Sequence, residues 1–215
     1  VYEELRGPNV IVLREAVDAV DRPSVHMRRY APRDRIFQFG GPVDTVFELV
    51  RGCVVITAPH GTGRRRIVDF VQPGRLFGFT AQARHRFSAV AATAATVCCL
   101  NLALARRNDR VAAWIDREML AEIDRLRDVA TLLLRGAAIE RIAGLFSLSA
   151  SPETSPVIHL PVTRSEIADL LGLTVETVCR NVTKLKRDGI LVEEGGGVWR
   201  IADAPRLALL AAAIV

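Results

Sequence analysis

The sequence contains few cysteines and no long apolar run. Its four cysteines form no CxxC pair and no Cys/His spacing, which excludes a zinc site or a disulfide scaffold and fits a reducing cytoplasm. Cys98 and Cys99 are adjacent in a strand-like run, so we expect their side chains to point to opposite faces. No stretch approaches the roughly 20 apolar residues of a membrane span. The first residues lack a signal-peptide layout, so neither a membrane nor a secretion role is expected.

The composition is that of a globular protein whose charge is unevenly spread. A chain of 215 residues is long enough for one large domain or two modest ones. Half of its residues are hydrophobic and a quarter are charged. The net charge of +5 suggests a nucleic-acid partner, but the excess lies between His26 and Val90, with eleven cations against four acids. Residues 158–203 hold seven acids and six cations. Evidence for DNA binding must therefore come from a motif and not from net charge.

The first half of the chain changes from helical to β-type patterning. Apolar positions at helical spacing predict a short helix over Val1–Val20. From Val25 to about Leu102, short β-type runs are separated by glycines, which predicts a small antiparallel barrel, and His60–Gly63 resembles a hairpin loop. The clearest predicted strands are Val46–Val50, Cys53–Ala58, Arg66–Val71 and Ala94–Leu100.

The longest helical pattern covers Asp109–Leu134. Its apolar side chains recur in steps of four and three, as in a coiled-coil seam, at Ile115, Met119, Ile123, Leu126, Ala130 and Leu133. Charged residues flank this seam, which favours a dimer helix over a helix that lies on its own domain. A second amphipathic helix is predicted over Ala137–Ser149, followed by a polar loop, Ser151–Pro156.

Two short helices joined by a tight turn are predicted between Thr163 and Ile190. Thr163 and Glu166 have the spacing of a capping box, Gly172 supplies a left-handed residue at the turn, and Thr174 can cap the second helix. The second helix has an apolar face formed by Val175, Val178, Val182 and Leu185. Its opposite face carries Glu176, Arg180, Thr183, Lys184 and Arg187, with Cys179 at the boundary. Such a mixed polar face suits a helix that reads the major groove.

A hairpin is predicted after this second helix. Strand-like residues Ile190–Val192 and Val198–Ile201 flank a glycine-rich turn over 193–197, as in a winged helix-turn-helix. The turn begins with two acids, Glu193 and Glu194, so we do not expect strong phosphate contact there.

The string from Val162 to Leu191, VTRSEIADLLGLTVETVCRNVTKLKRDGIL, resembles the helix-turn-helix of the CRP/FNR transcription-factor family. Its Glu-Thr-Val-x-Arg run resembles the FNR and FixK branch. The glycine punctuation of the β-type region, including Pro73–Gly78, is similar to the family's β-roll. The resemblance implies an α+β fold: a cupin-like β-roll of the cyclic-nucleotide-binding-domain type over 1–108, a dimerisation helix over 109–134 and a winged helix-turn-helix domain over 135–215.

The resemblance also implies a function. A family member would act as a homodimeric, sequence-specific transcription regulator on double-stranded DNA, at an inverted repeat with TTGA-like half-sites, with RNA polymerase as a further partner. The dimer would use the six seam residues. The implied DNA-binding residues are Thr163, Arg164, Ser165, Thr174, Val175, Glu176, Thr177, Cys179, Arg180, Thr183 and Lys184. Cys179 replaces a serine or glycine common in the family, and nearby cations favour its reactive thiolate, so it is a redox candidate.

The family's known effectors find few matching residues. Where cyclic-AMP-binding members have an acid after the Phe-Gly pair, this chain has Phe79, and Phe87 separates Arg86 from Ser88. An N-terminal cysteine cluster for iron–sulfur is missing, and Gly78 and Thr80 stand where some haem-sensing relatives have a cysteine and a histidine. No cofactor or metal is therefore predicted. A small-molecule or haem ligand in the β-roll stays the alternative, with His26, His60, His85 and His159 as candidate haem ligands.

Two further interpretations concern the β-type region. Its arginines form a predicted basic patch, either solvated or able to hold an anion, at Arg64, Arg65, Arg66, Arg75, Arg84 and Arg86. An enzyme built on a cupin-like barrel would need a His/Glu metal constellation or a nucleophile–base pair. Neither spacing occurs, so no enzymatic activity is predicted.

Overall fold

The computed structural model describes residues 25–59, 65–150 and 157–212 of the chain. The predicted helix over Val1–Val20, the loop His60–Gly63 and the polar loop Ser151–Pro156 lie outside the described residues. The chain divides into two compact units, with the division after Asp124. Among the described residues, no helix combines the length and apolar character needed to cross a membrane.

The first unit contains the predicted β-roll. Two antiparallel four-stranded sheets have the strand orders β1-β8-β3-β6 and β2-β7-β4-β5. The four strands predicted from the sequence correspond to β3, β4, β5 and β8. The eight strands are β1 (Val25–Tyr30), β2 (Arg35–Phe37), β3 (Thr45–Arg51), β4 (Val54–Pro59), β5 (Arg65–Val71), β6 (Leu76–Phe77), β7 (Ser88–Ala91) and β8 (Ala95–Asn101).

Strand β8 supplies side chains to two separate apolar clusters. Cys99 lies in the cluster formed by residues from both sheets, together with Phe47 and Phe77. Cys98 lies in a second cluster, with Val46 and with residues of the helix that follows the roll. Successive side chains of a strand point to opposite faces, so the predicted divergence of the two cysteines is confirmed.

Six helices and a third, smaller sheet complete the described chain. The helices are α1 (Leu102–Ala105), α2 (Asp109–Leu133), α3 (Ala138–Ser149), α4 (Arg164–Leu171), α5 (Val175–Arg187) and α6 (Ala204–Ala212). The three-stranded sheet has the order β10-β11-β9, with β9 (Val157–His159), β10 (Leu191–Gly195) and β11 (Val198–Ile201). Strands β10 and β11 form the predicted wing, but β10 extends to Gly195, so Glu193 and Glu194 lie in the strand and not in the turn as predicted. Helix α6 buries Leu207 and Ala211.

The predicted seam along α2 divides into two parts. Ile115 is completely buried against Val46, Cys98 and Leu100 of its own β-roll, and Met119 packs against the same cluster. These two residues were expected to meet a second subunit, and the structure instead uses them to cover the apolar outer face of a sheet. Further along α2, the remaining seam residues are exposed: Ile123 by 43%, Leu126 by 48% and Leu133 by 39%, with Ala130 also exposed.

The end of α2 packs on α3 through a different side of the helix. Leu132 is buried and lies against Gly144, where an added Cβ would overlap the leucine side chain. A larger residue at 144 would therefore displace this helix pair.

Arg75 joins the β-roll to α2. Its Nη2 contacts Asp69 Oδ2 at 2.8 Å and Glu122 Oε1 at 2.6 Å, and its Nη1 donates to the Phe70 carbonyl oxygen at 2.6 Å. The guanidinium is largely buried and its charge is matched within the first unit. The prediction that Arg75 belongs to a solvated or anion-holding basic patch is therefore wrong, because the carboxylates of Asp69 and of Glu122, the latter 47 positions away, converge on it.

Glu48 is a buried carboxyl group in the same region. Its side chain is 1% exposed, and Oε2 has no hydrogen-bond partner among the described residues. Burial, followed by the charge of Glu118 on α2, raises the pKa of Glu48 to about 8. Glu48 therefore holds a proton at neutral pH.

Candidate nucleic-acid interface

Helix α4 begins at a complete capping box. The Thr163 hydroxyl accepts a hydrogen bond from the Glu166 backbone N–H at 3.2 Å, and the Thr163 backbone N–H donates to Glu166 Oε2 at 2.7 Å. These bonds satisfy donors that a helix N-terminus otherwise leaves free. Ile167, Leu170 and Leu171 face inward, so the start and inner face of α4 agree with the sequence prediction.

The turn between α4 and α5 depends on one glycine and one threonine. Gly172 ends α4 in the left-handed conformation, with φ of 64°, which strains any residue with a Cβ. The Thr174 hydroxyl accepts from the Thr177 backbone N–H at 3.2 Å and so caps α5. Both roles match the sequence prediction. The Thr177 hydroxyl lies 2.9 Å from that of Thr174, so both threonines are engaged in the cap.

The inner face of α5 is narrower than predicted. Val178, Val182 and Leu185 are buried, whereas Val175 is 45% exposed. The assignment of Val175 to the packed face is wrong, because nearly half of this side chain is exposed at the first residue of the helix. Exposure leaves this side chain accessible on the outer surface.

The outer face of α5 presents an exposed acid and an exposed arginine one turn apart. Arg180 Nη2 lies 3.4 Å from Glu176 Oε1, and both side chains are more than two-thirds exposed. Such exposed i,i+4 pairs contribute little stability, so both groups can be redirected to a ligand at small cost. Cys179, Thr183 and Lys184 are exposed on the same side of the helix. The predicted residues of α5 therefore form one accessible surface, with Thr177 partly covered beside it.

Arg164, the first residue of α4, is held by the wing. Its Nη2 lies 3.1 Å and 3.2 Å from the two carboxylate oxygens of Glu193, and its Cζ lies 4.7 Å from the ring centroid of Trp199. Lys186 at the end of α5 donates to Glu193 Oε2 at 2.8 Å. The Lys186 hydrogen bond and the positive charges lower the pKa of Glu193, which is therefore ionised at neutral pH. No local pattern in the sequence signals this role of Glu193, because Arg164 and Glu193 are 29 positions apart.

The residues of the β-roll do not fit a cyclic nucleotide. Phe79, at the position of the family's ribose-binding acid, packs against the cluster that contains Ile115. The Ser88 hydroxyl accepts a hydrogen bond from the Phe39 backbone N–H at 2.9 Å and so stabilises a loop of the roll itself. Arg86, the predicted counterpart of the phosphate-binding arginine, is exposed.

The described histidines also lack the surroundings of a metal site. His85 is buried and stacks on Phe37 with 4.0 Å between ring centroids, and burial lowers its pKa, so it packs as a neutral ring. His26 and His159 are exposed on β1 and β9, and His60 lies outside the described residues. Within 25–59, 65–150 and 157–212, no three His, Cys, Asp or Glu side chains are grouped to hold a metal ion.

A β-roll followed by a long helix and a winged helix-turn-helix defines a class of DNA-binding regulators. Residues 129–210 match the model of the Crp-like helix-turn-helix domain, and residues 27–107 match the cyclic nucleotide-binding domain. The chain is 37% identical to the nitrogen fixation regulation protein FixK of Bradyrhizobium diazoefficiens, over 92% of this chain and 89% of that protein. It is 31% identical to the transcriptional activatory protein AadR of Rhodopseudomonas palustris, over 90% and 84%.

The solved structures agree with these sequence relatives. FixK2 from Bradyrhizobium japonicum has a TM-score of 0.78 and 28% identity, covering 89% of this chain and 99% of that chain. A CRP-family regulator from Thermus thermophilus, at 24% identity and a TM-score of 0.68 over 86% and 96% of the two chains, shares the fold. The protein belongs to the CRP/FNR family of transcription regulators and is FixK-like within it. Its relatives are transcription regulators, and no enzyme family is indicated.

Proposed function

We propose that the protein binds, as a homodimer, an inverted repeat with TTGA-like half-sites and so regulates transcription. The observation that carries this proposal is the exposed Glu176–Arg180 pair on the outer face of α5. An arginine can donate two hydrogen bonds to guanine, and a glutamate can accept one from cytosine, so this pair matches the major-groove edge of a G·C step. Val175, exposed at the start of the helix, would contact a thymine methyl group.

The other exposed residues suit contacts with the DNA backbone. Thr163 and Arg164 lie at the start of α4, whose N-terminus favours phosphate, as does the start of α5 at Thr174. The proposed backbone and groove-edge contacts are Thr163, Arg164, Ser165, Thr174, Thr177, Cys179, Thr183 and Lys184. In a dimer, two such surfaces would meet half-sites one helical turn apart, ~34 Å.

Replacing Arg180 with Ala tests base readout. Loss of a bidentate base contact should weaken binding to the cognate site by about 1–3 kcal/mol and change binding to scrambled DNA much less. Arg187→Ala is a matched control, because Arg187 carries the same charge on the last turn of α5 and is equally exposed. Titration of each variant by fluorescence anisotropy gives both affinities. Equal losses on cognate and scrambled DNA for Arg180→Ala would reduce its role to a phosphate contact.

The proposed dimer would use the exposed part of α2. Ile123, Leu126, Ala130 and Leu133 present an unpaired apolar stripe at seam spacing, flanked by charged residues. A second copy of the same helix is the partner that this pattern suits, and pairing would bring two recognition helices to one inverted repeat. RNA polymerase is the proposed protein partner of the DNA-bound dimer, acting in the cytoplasm.

The same scaffold gated by a haem or small ligand in the β-roll is the alternative. Visible absorption of the protein purified from cells distinguishes the two, since haem would give a strong band near the blue end of the spectrum and the cofactor-free regulator would give none.

Cys179 is the proposed site of redox sensitivity in the regulator. It is exposed on the DNA-facing side of α5, whereas Cys53, Cys98 and Cys99 are buried. Hydrogen peroxide would transfer one oxygen atom to the Cys179 thiolate, giving a sulfenate and water. The added bulk and negative charge would oppose binding in the groove.

Gel shifts with the cognate site test this sensitivity. Peroxide or iodoacetamide should abolish binding by the wild type, while Cys179→Ser should bind DNA and resist both reagents. Cys53→Ser is the control, which should stay sensitive. Equal loss of binding in wild type and Cys179→Ser would assign the effect to a buried thiol.

A further inference from the structure

The wing carries its two acids on neighbouring positions with different surroundings. Glu193 lies directly across from Trp199 in the β10–β11 pairing, so both side chains project from the same face of the hairpin. That face is directed inward at Trp199, whose side chain is 2% exposed. The Trp199 ring packs edge-on against Phe146 of α3, with 5.0 Å between the ring centroids. Glu194, the next residue, forms an ion pair within the wing, with 2.7 Å between its Oε1 and Nε of Arg200. Only Glu193 is connected to the helix-turn-helix.

Glu193 connects three separate elements. It accepts hydrogen bonds from Arg164 at the start of α4 and from Lys186 in the last turn of α5, while it lies on β10. The Arg164 guanidinium is held on its edge by this carboxylate and on its face by the Trp199 ring, an arrangement that restricts a side chain otherwise rich in rotamers. The contacts of Arg164 with other described residues use Nη2 and the face of the guanidinium, which leaves its Nε and Nη1 donors for a ligand.

We propose that Glu193 is a positioning residue for DNA recognition: it fixes Arg164 against Trp199 so that the free guanidinium donors meet a backbone phosphate. This inference rests on the proposed function, because it assumes that α4 and α5 face DNA. In this account the wing acts on DNA binding through its contacts with the helix-turn-helix. Glu193, on β10 of the wing, orders a cation of the helix-turn-helix and does not itself touch phosphate.

The opposite expectation follows from simple charge. An acid near DNA repels phosphate, so its removal should strengthen binding to every sequence. If Glu193 positions Arg164, its removal should instead weaken cognate binding, because Arg164 must then be ordered during association. The two accounts therefore differ in the sign of the effect.

The experiment compares Glu193→Gln with Glu194→Gln. Both variants remove one negative charge from the wing, and only the first removes the ion pairs with Arg164 and Lys186. We expect Glu193→Gln to bind the cognate duplex about three- to tenfold more weakly than Glu194→Gln, as for the loss of one charge-assisted hydrogen bond. Equal or tighter binding by Glu193→Gln would overturn the inference. Matching thermal unfolding curves confirm that both variants fold.

A double-mutant cycle separates positioning from a general weakening of the wing. With Arg164→Ala as background, Glu193→Gln should bind like Glu194→Gln, because the group that Glu193 orders is missing. If the difference between the two glutamine variants persists without Arg164, Glu193 acts only on the structure of the wing and the inference fails. The slope of log affinity against log salt should fall by about one for Arg164→Ala, as for one lost phosphate contact.

Failure of the proposed function gives a different result. If wild type and Glu194→Gln both fail to distinguish an inverted TTGA repeat from scrambled DNA, the proposed base readout fails. If both recognise the repeat and Glu193→Gln matches Glu194→Gln, only the positioning role is overturned.

Discussion

The first and second halves of α2 carry the same apolar pattern in different surroundings. In the first half, Ile115 and Met119 pack on the β-roll, and Glu122 holds Arg75. In the second half, Leu126 and Leu133 stay exposed while Leu132, on another side, packs on Gly144. The apolar face of α2 is therefore covered by the same chain in its first half and exposed in its second half. Heptad spacing predicts that one face of a helix is buried, but it does not predict which surface covers that face.

Ile115→Asp should have the largest effect on this comparison. It removes a completely buried side chain and places a carboxylate among Val46, Cys98 and Leu100, so we expect a loss of about 5 kcal/mol or more in the free energy of unfolding. Denaturant unfolding followed by circular dichroism measures it. Ile115→Val, which keeps the site apolar, should cost only about 0.5–1.5 kcal/mol. A well-folded Ile115→Asp chain that has merely become monomeric would return Ile115 to the dimer seam.

Leu126→Asp should act on association and leave the fold intact. A carboxylate in a seam from which the partner excludes water should cost about 3 kcal/mol of association free energy, and light scattering should report a monomer. Leu209→Asp is the control, because Leu209 is also an exposed leucine but lies on α6, and its variant should keep the mass of the dimer. A dimeric Leu126→Asp would place the subunit interface elsewhere.

The last expected effect is a pH dependence at Glu48 of β3, whose pKa is raised by burial and by the charge of Glu118 in the first half of α2. Between about pH 4.5 and 8, an unfolded Glu48 loses its proton while the folded Glu48 keeps it, so stability falls as pH rises across that interval. Glu48→Gln should flatten this part of the profile and raise the melting temperature at pH 8. Glu118→Gln should reduce the slope, since the Glu118 charge contributes to the raised pKa. Parallel profiles for wild type and Glu48→Gln would contradict the buried, protonated state.

Local signals account for what the sequence predicted well. The Thr163–Glu166 box, the Gly172 turn and the Thr174 cap act within a few residues, so the helix-turn-helix was predicted in detail. The alternation of Cys98 and Cys99 is equally local. By contrast, Arg75 pairs with Glu122 across 47 positions, and Arg164 pairs with Glu193 across 29. Such pairs depend on how strands and helices meet, and no short pattern in the chain encodes them.

One thiol is exposed and three are buried, so thiol reactivity can report how often the β-roll opens. Cys53, Cys98 and Cys99 are buried, and burial raises the pKa of Cys98 and that of Cys99, the latter to about 11, so neither forms the nucleophilic thiolate in the folded roll. A disulfide reagent added to native protein should therefore consume one equivalent at once, at Cys179. The other three equivalents should follow at the rate at which the β-roll opens, so a chromogenic thiol reagent would measure the rate of that opening.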